Sequence, residues 1–141
     1  MSIYQHLYNK QKKLTLLFLL LIQTLAHADW QKLMTVENTT VYVDMSKGQS
    51  TNDIVTVSEL RDCGEQREFM GSMYGFSFRS SQFLTEYKCS TREQRYLQSL
   101  WFADQMGSGK ISFKKLHPQD WVTVDDDVVN KAIFDYFCLL R

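Results

Sequence analysis

Histidine and acidic side chains in one polar stretch are the chain's nearest approach to a hydrolytic site. His117 begins a His-Pro-Gln-Asp sequence that ends at Asp120. Nucleophilic catalysis needs a base beside the nucleophile, and histidine is the usual base near neutral pH. No G-x-S-x-G motif accompanies His117, and a turn explains this sequence without any chemistry. We therefore predict no catalytic residue.

Ligand patterns for metals and phosphates are also missing. Neither C-x-x-C nor H-E-x-x-H occurs, and zinc sites need clusters of that kind. Residues 125–127 are three consecutive aspartates, which are more typical of a helix start than of a calcium loop. The Gly-Ser-Gly sequence at 107–109 lies between predicted strands, with no helix after it to hold a phosphate. We predict no metal and no cofactor.

The N-terminal residues have the three parts of a secretory signal peptide. Three lysines at positions 10, 12 and 13 precede an apolar run over residues 14–25, and an Ala-His-Ala sequence ends at Ala28. The apolar core has about 12 residues, well below the roughly 20 that a membrane-spanning helix needs. An uncleaved anchor is the alternative. We predict cleavage between Ala28 and Asp29, and Asp29 cannot accept the lipid that a cysteine there would carry.

Cleavage would leave residues 29–141, a length typical of a single domain. The chain has 16 basic and 16 acidic residues, and loss of the three lysines leaves 13 basic against 16 acidic ones. A net charge of about −3 gives no basic stripe for nucleic acid and no cationic cluster for an anionic membrane. We therefore expect an exported protein that lies in the periplasm, at the cell surface or outside the cell. We expect it to bind no nucleic acid and to have no membrane anchor after cleavage.

Short strands and one C-terminal helix account for most of the exported part. Apolar positions alternate or cluster with turn residues between them, and the connections are too short for crossover helices, so the sheet should be antiparallel. After the aspartates, apolar residues recur at spacings of three and four, which predicts a helix. The fold class is α+β, with the helix packed on one face of the sheet. The predicted strands are 30–36, 39–45, 54–57, 71–80, 83–89, 94–102 and 110–116.

The three cysteines all lie in the exported part, where disulfides persist. An odd count leaves one thiol free or pairs it between chains, and spacing alone does not choose among the three single bridges. Their settings differ: Cys63 lies in a polar stretch, residues 59–68, that is predicted to be a loop. Cys89 and Cys138 each close an apolar segment. Buried free thiols are the alternative.

Aromatic residues are the remaining positive signal, especially in residues 73–78 and 96–102. At strand spacing, most such side chains are expected in the core. A sheet covered on one face by one helix leaves its other face open in part, and exposed aromatics favour protein contacts there. Dimerisation through that face is a reasonable hypothesis.

A set of short motifs in the exported part matches the pattern of a known family. They are Tyr87-Lys88-Cys89, Arg92, Arg95, Met106-Gly107-Ser108-Gly109, Trp121-Val122-Thr123-Val124 and the helix closing at Cys138, with looser matches at 41–44 and 54–60. Through these residues the chain resembles the surface-adhesin protein E family of exported bacterial proteins. The resemblance implies an antiparallel sheet of about six strands and a C-terminal helix tied to it by a disulfide, which selects Cys89 with Cys138 and leaves Cys63 outside the pattern. It also implies a dimer that binds host matrix and serum proteins such as vitronectin and laminin.

Three functions follow from these observations, in order of preference. The first is an exported, non-enzymatic binding protein that is adhesin-like, with a host matrix protein as its partner. The second is a periplasmic structural or maintenance factor that acts by docking onto an envelope protein. A small secreted hydrolase ranks last, because the sequence has no recognisable nucleophile motif to accompany His117.

Overall fold

A computed structural model describes residues 28–44, 49–71, 74–124 and 127–140. The predicted signal peptide lies outside the described residues except for Ala28. Within these residues, eight strands and one helix make up the fold, together with a 3₁₀ turn at Gln105–Gly107. The strands are β1 (Trp30–Val36), β2 (Thr39–Asp44), β3 (Gln49–Thr51), β4 (Ile54–Met70), β5 (Gly75–Lys88), β6 (Glu93–Phe102), β7 (Ile111–Lys115) and β8 (Val122–Thr123); helix α1 (Val128–Phe134) continues as a π-helical turn, Asp135–Leu139.

The strands form one antiparallel sheet in the order β1-β2-β4-β5-β6-β7. The short strands lie off this path: β3 pairs with β4, and β8 pairs with β6. The prediction of about six strands is therefore too low for the described chain, which has eight. Strands of three and two residues are too short to show a period of two in the sequence.

Strand β4 overturns the prediction that residues 59–68 form a loop, because it runs without interruption from Ile54 to Met70. Its polar residues misled the sequence analysis: Glu59 is fully buried despite its charge. Strand β5 likewise merges two predicted strands, since Ser80 and Ser81 lie buried within it instead of forming a turn.

The hydrophobic core lies between one end of the sheet and the C-terminal helix. Valines of β2 and β4 and the ring of Tyr87 on β5 form the sheet side, and apolar residues of the helical segment cover them. Asp127 caps α1, since one carboxylate oxygen accepts hydrogen bonds from the backbone N–H groups of Val129 at 2.8 Å and Asn130 at 2.9 Å. The predicted capping residues 125 and 126 lie outside the described residues. Within the described ranges, no helix is long and apolar enough to cross a membrane.

A disulfide joins Cys89, just after β5, to Cys138 in the π-helical turn, with an S–S distance of 2.05 Å and a Cα–Cα distance of 5.5 Å. Both cysteines pack against the core. Cys63 is a free thiol, but the prediction of a polar loop around it is wrong: it lies in β4 and is 3% exposed. A thiol this deeply buried is poorly placed for an intermolecular bridge.

Candidate functional site

Eight aromatic rings form a continuous cluster, which we call the aromatic patch. The rings of Phe76 and Phe113 stack with centroids 5.0 Å apart, and Trp101 contacts both of them at 5.7 and 5.5 Å. Offset and edge-to-face pairs of this kind hold one another in place beyond the effect of burial alone. The patch consists of Phe69, Tyr74, Phe76, Phe78, Phe83, Tyr96, Trp101 and Phe113.

The patch lies on the face of the sheet that carries the helix. Directly paired residues of antiparallel strands share a face, and Phe83 on β5 pairs with Ser99 on β6, which pairs with Lys115 on β7. Tyr96, whose ring contacts Phe83, is hydrogen-bonded to Asn130 of α1. The aromatic residues therefore lie beside the helix, on the part of the same sheet face that the helix leaves uncovered. The prediction that the exposed aromatics lie on the opposite face is wrong.

The far end of the patch lies on a two-stranded arm. Beyond a register shift, residues 67–70 of β4 pair only with residues 75–78 of β5. The pairing of β4 with β2 ends at Cys63, and the pairing of β5 with β6 ends at Ser80. The arm has large apolar side chains in solvent: Phe69 is 46% exposed, Tyr74 52% and Met70 79%. An isolated two-stranded ribbon is marginally stable in water, so this end of the patch is suited to contact with another surface.

A pocket of about 240 Å³ opens in the aromatic patch. Ser99 is 1% exposed, and its hydroxyl oxygen has no hydrogen-bond partner among the described residues. Lys115, its cross-strand neighbour, is exposed at the rim. The lining residues are Phe69, Tyr74, Phe76, Phe83, Tyr96, Ser99, Trp101, Phe113, Lys115 and Gln119.

A buried polar network fixes one wall of the pocket. The Arg61 guanidinium donates to one Glu59 carboxylate oxygen at 3.0 Å and to the Asn130 side-chain oxygen at 2.7 Å. Thr85 donates to the other Glu59 oxygen at 2.6 Å, and the Asn130 amide donates to the Tyr96 hydroxyl at 3.1 Å. The network therefore joins β4, β5, β6 and α1, and it places the Tyr96 ring through its hydroxyl.

Arg61 also stacks on the ring of Phe83, with the guanidinium carbon 4.8 Å from the ring centroid. Burial alone would lower the pKa of Arg61, but the charge of the Glu59 carboxylate, its hydrogen bond and the interactions with Tyr96 and Asp127 together outweigh burial, so this pKa is raised above its ordinary value. Burial raises the pKa of the Tyr96 hydroxyl. The guanidinium thus stays positive and the phenol neutral, and this fixed charge pattern holds the Phe83 and Tyr96 walls in position.

The opposite face of the sheet has a wider groove of about 530 Å³. Leu84 and Leu100 contribute apolar surface, Gln98 contributes an amide, and Trp30 lies at one end. The predicted cleavage point borders this groove, since Ala28 is among the lining residues. Its few aromatic and charged groups give it less capacity for specific contacts than the aromatic patch has.

The residues singled out for chemistry do not converge. His117 and Asp120 are exposed in the segment between β7 and β8. Gly107 and Gly109 have positive φ angles of 67° and 75°, and the Gly107 N–H donates to Ser80 Oγ at 2.9 Å, so this loop serves the strand connection. In the described part of the chain, no group of three or more His, Cys, Asp and Glu side chains could hold a metal ion.

Sequence analysis missed the polar network completely. Glu59 and Arg61 lie in a stretch predicted to be a loop, and Asn130 was not distinguished from its helical neighbours. One signal was present: the alternation of Val55 and Val57 continues at period two through Glu59 and Arg61. If the strand continues at period two, an acid and a base two residues apart lie on its apolar face, and this could have indicated an ion pair within one strand.

Comparisons with known proteins agree with the fold. The family model described as surface-adhesin protein E matches residues 30–139. Crystal form II of Haemophilus influenzae protein E superposes with a TM-score of 0.57 at 14% identity, covering 80% of this chain and 89% of that one. Protein E from non-typeable H. influenzae has a TM-score of 0.51 at 16% identity, covering 78% and 76%. No curated protein matches the chain.

Proposed function

Because the chain belongs to the surface-adhesin protein E family, we propose that it is an exported, adhesin-like protein that binds another protein and carries no catalytic activity. The exported form is residues 29–141, folded as one domain. The proposal includes cleavage after Ala28 and a location in the periplasm, at the cell surface or outside it. The signal-peptide pattern and the family support export.

The observation that carries the binding function is the aromatic patch. Protein interfaces are enriched in aromatic residues, methionine and arginine relative to the remaining surface, and the patch combines its rings with Arg61 behind them and Met70 at the end of the arm. Rings confined to a core would be covered, whereas Phe69 and Tyr74 are about half exposed. An aromatic surface open to solvent favours a protein partner over a reaction.

The test is a binding assay on immobilised vitronectin and laminin. Replacement of Phe69 by Ser should weaken binding at least tenfold if the patch makes the contact, because aromatic anchors of an interface carry about 2 kcal/mol or more. Ile111→Ser is the matched control, since Ile111 is 44% exposed and pairs with Phe102 on the opposite face. Equal loss in both variants, or unchanged binding in Phe69→Ser, would contradict the role of the patch.

Fractionation of the cells would test export in parallel, with N-terminal sequencing of the isolated protein. We expect the mature chain to begin at Asp29. A strictly periplasmic protein that binds neither matrix protein would remove the adhesin part of the proposal. It would then favour docking onto an envelope protein, the alternative function predicted from the sequence.

We also propose that the protein forms a homodimer. The exposed arm supports this, because Met70 and Tyr74 would be covered in a symmetric contact between two copies. Light scattering at increasing protein concentration measures the mass, and Met70→Ser should shift the equilibrium towards the monomer. A wild-type protein that stays monomeric at millimolar concentration would contradict the dimer.

A further inference from the structure

The pocket in the aromatic patch has the size of one side chain. Its volume of about 240 Å³ is below the range of about 300–1,000 Å³ that holds drug-sized ligands. We propose that it takes one bulky apolar side chain of a protein partner, and that Lys115 at its rim pairs with a carboxylate next to that side chain. This inference rests on the proposed function and specifies the chemistry of the partner.

The walls of the pocket favour an apolar guest. Phe76 and Phe113 stack with an interplanar angle of 16°, and Trp101 meets Phe76 at 64°. Such rings present both faces and edges at fixed angles, which an aromatic or branched aliphatic side chain can contact without reorganising them. On the other side, Arg61 and its hydrogen bonds keep Phe83 in place. A preformed hole of this kind is typical of the positions that dominate protein interfaces.

The polar groups of the pocket favour an anion beside that guest. Lys115 and Ser99 are directly paired across β6 and β7, so their side chains lie next to each other on one face. Within the described residues, no carboxylate lies in ion-pair contact with Lys115, and the buried Ser99 hydroxyl has no partner. The ammonium group therefore supplies charge complementarity to a carboxylate placed just outside the aromatic walls.

A different role for Lys115 would be to cover the rings with its methylene stem while its charge stays in water. The two roles differ in what the positive charge does. If the stem alone matters, removing the charge leaves the pocket's preference among ligands unchanged. If the charge selects the partner, a neutral residue of similar length removes that preference.

The experiment uses N-acetyl-L-phenylalanine as probe and its neutral amide as comparison. The protein is expressed as the full chain, purified after export, and titrated while backbone amide signals are followed by NMR. The carboxylate should bind about threefold to fivefold more tightly than the amide, the ratio that a partly exposed ion pair provides. The largest shifts should occur at Ser99, Trp101 and Phe113.

Lys115→Gln should remove the preference for the carboxylate and leave the affinity for the amide unchanged. The matched control is Lys114→Gln: Lys114 is the neighbouring lysine, but it pairs with Leu100 and lies on the opposite face. This control should retain the full preference. Both side chains are exposed, so neither replacement should disturb folding.

Three results would overturn the inference: equal affinities of the two probes for the wild-type protein, an equal effect of the two lysine replacements, or shifts centred on Leu84 and Leu100 in the groove of the opposite face. Failure of the proposed function would look different. The matrix proteins would then not bind, whereas the probes would still bind with the preference set by Lys115. If matrix proteins bind equally well to the wild type and Lys115→Gln, the proposed function stands and the inference does not.

Discussion

Removing the disulfide by Cys138→Ser should destabilise the protein by about 4 kcal/mol. The bridge closes a loop across a sequence separation of 49 residues. In the chain-entropy model, a loop of this length restricts the unfolded chain by about 14 cal/mol/K, which at 25 °C corresponds to about 4 kcal/mol. Domains of this size are stable by about 5–15 kcal/mol in total, so the loss would remove a large share of the free energy of unfolding.

Urea unfolding followed by tryptophan fluorescence measures this free energy, with extrapolation to water. The wild-type protein under a chemical reductant should match Cys138→Ser, and the reductant should have little further effect on the variant. Cys63→Ser is the control: Cys63 is buried near the Thr39 hydroxyl, with an O–S distance of 3.9 Å, and closes no loop. It should cost only about 1 kcal/mol, the usual price of a small polar change in a core.

A free energy for Cys138→Ser within about 1 kcal/mol of the oxidised wild type would refute this reasoning. So would an equally large loss in Cys63→Ser, since that result would assign the effect to core packing. The slope of unfolding against urea concentration is informative as well. Without the crosslink, the unfolded chain exposes more surface, so the slope should rise in Cys138→Ser and stay constant in Cys63→Ser.

Three further predictions concern polar side chains. Arg61→Met should destabilise the protein by about 3–5 kcal/mol, because Glu59 is left buried without its cation. The control is Lys131→Met at an exposed ion pair, which should cost under about 0.5 kcal/mol. Urea unfolding measures both free energies. Tyr87→Phe should stabilise by about 1 kcal/mol, since the buried Tyr87 hydroxyl has no partner among the described residues. Burial raises the pKa of Tyr87 well above 10.0, so the folded state keeps a proton that the unfolded state loses; stability should fall above about pH 10, and less steeply in Tyr87→Phe. Asp127→Ala should cost about 1 kcal/mol by removing the cap of α1, measured by the same unfolding assay.

Strands with regular alternation were predictable from the sequence, and strands with buried charge were not. The first strand, Trp30–Val36, has the predicted bounds, and Glu93–Phe102 begins one residue earlier than expected. Strand β4 was cut short at Val57 because Glu59 and Arg61 are polar. Their burial depends on partners from other elements, such as Thr85 and Asn130, and sequence spacing does not reveal such partners.

The aromatic residues of the candidate site were predictable as a group, but their arrangement was not. Tyr74, Phe76 and Phe78 stand out at period two, and Tyr96 and Trp101 are conspicuous in a second strand. Their assembly into one patch depends on strand register. That register includes a shift between Leu84 and Thr85, which the sequence does not mark.

The contributions of Phe113 and Lys115 to the patch were also beyond prediction. Both reach it only because β7 pairs with β6 in the observed register, with Phe113 opposite Trp101 and Lys115 opposite Ser99. A shift of one residue would move both side chains to the opposite face. Pairing between strands that a long loop separates is a tertiary property, and the local sequence of β7 does not encode it.

The open position of the patch follows from a mismatch in length between the helix and the sheet. Helix α1 and its π-helical turn together have 12 residues and span less than about 18 Å, whereas β5 has 14 residues and spans about 46 Å. A helix this short covers only one end of the strands, and the disulfide at Cys138 keeps it at that end. The same face therefore holds a closed core beside Tyr87 and an open aromatic surface beside Trp101. Because Arg61 and Asn130 lie at the boundary between the two, the polar network that holds the helix on the sheet also sets the wall of the pocket. Changes that loosen the helix should for this reason weaken partner binding as well as stability.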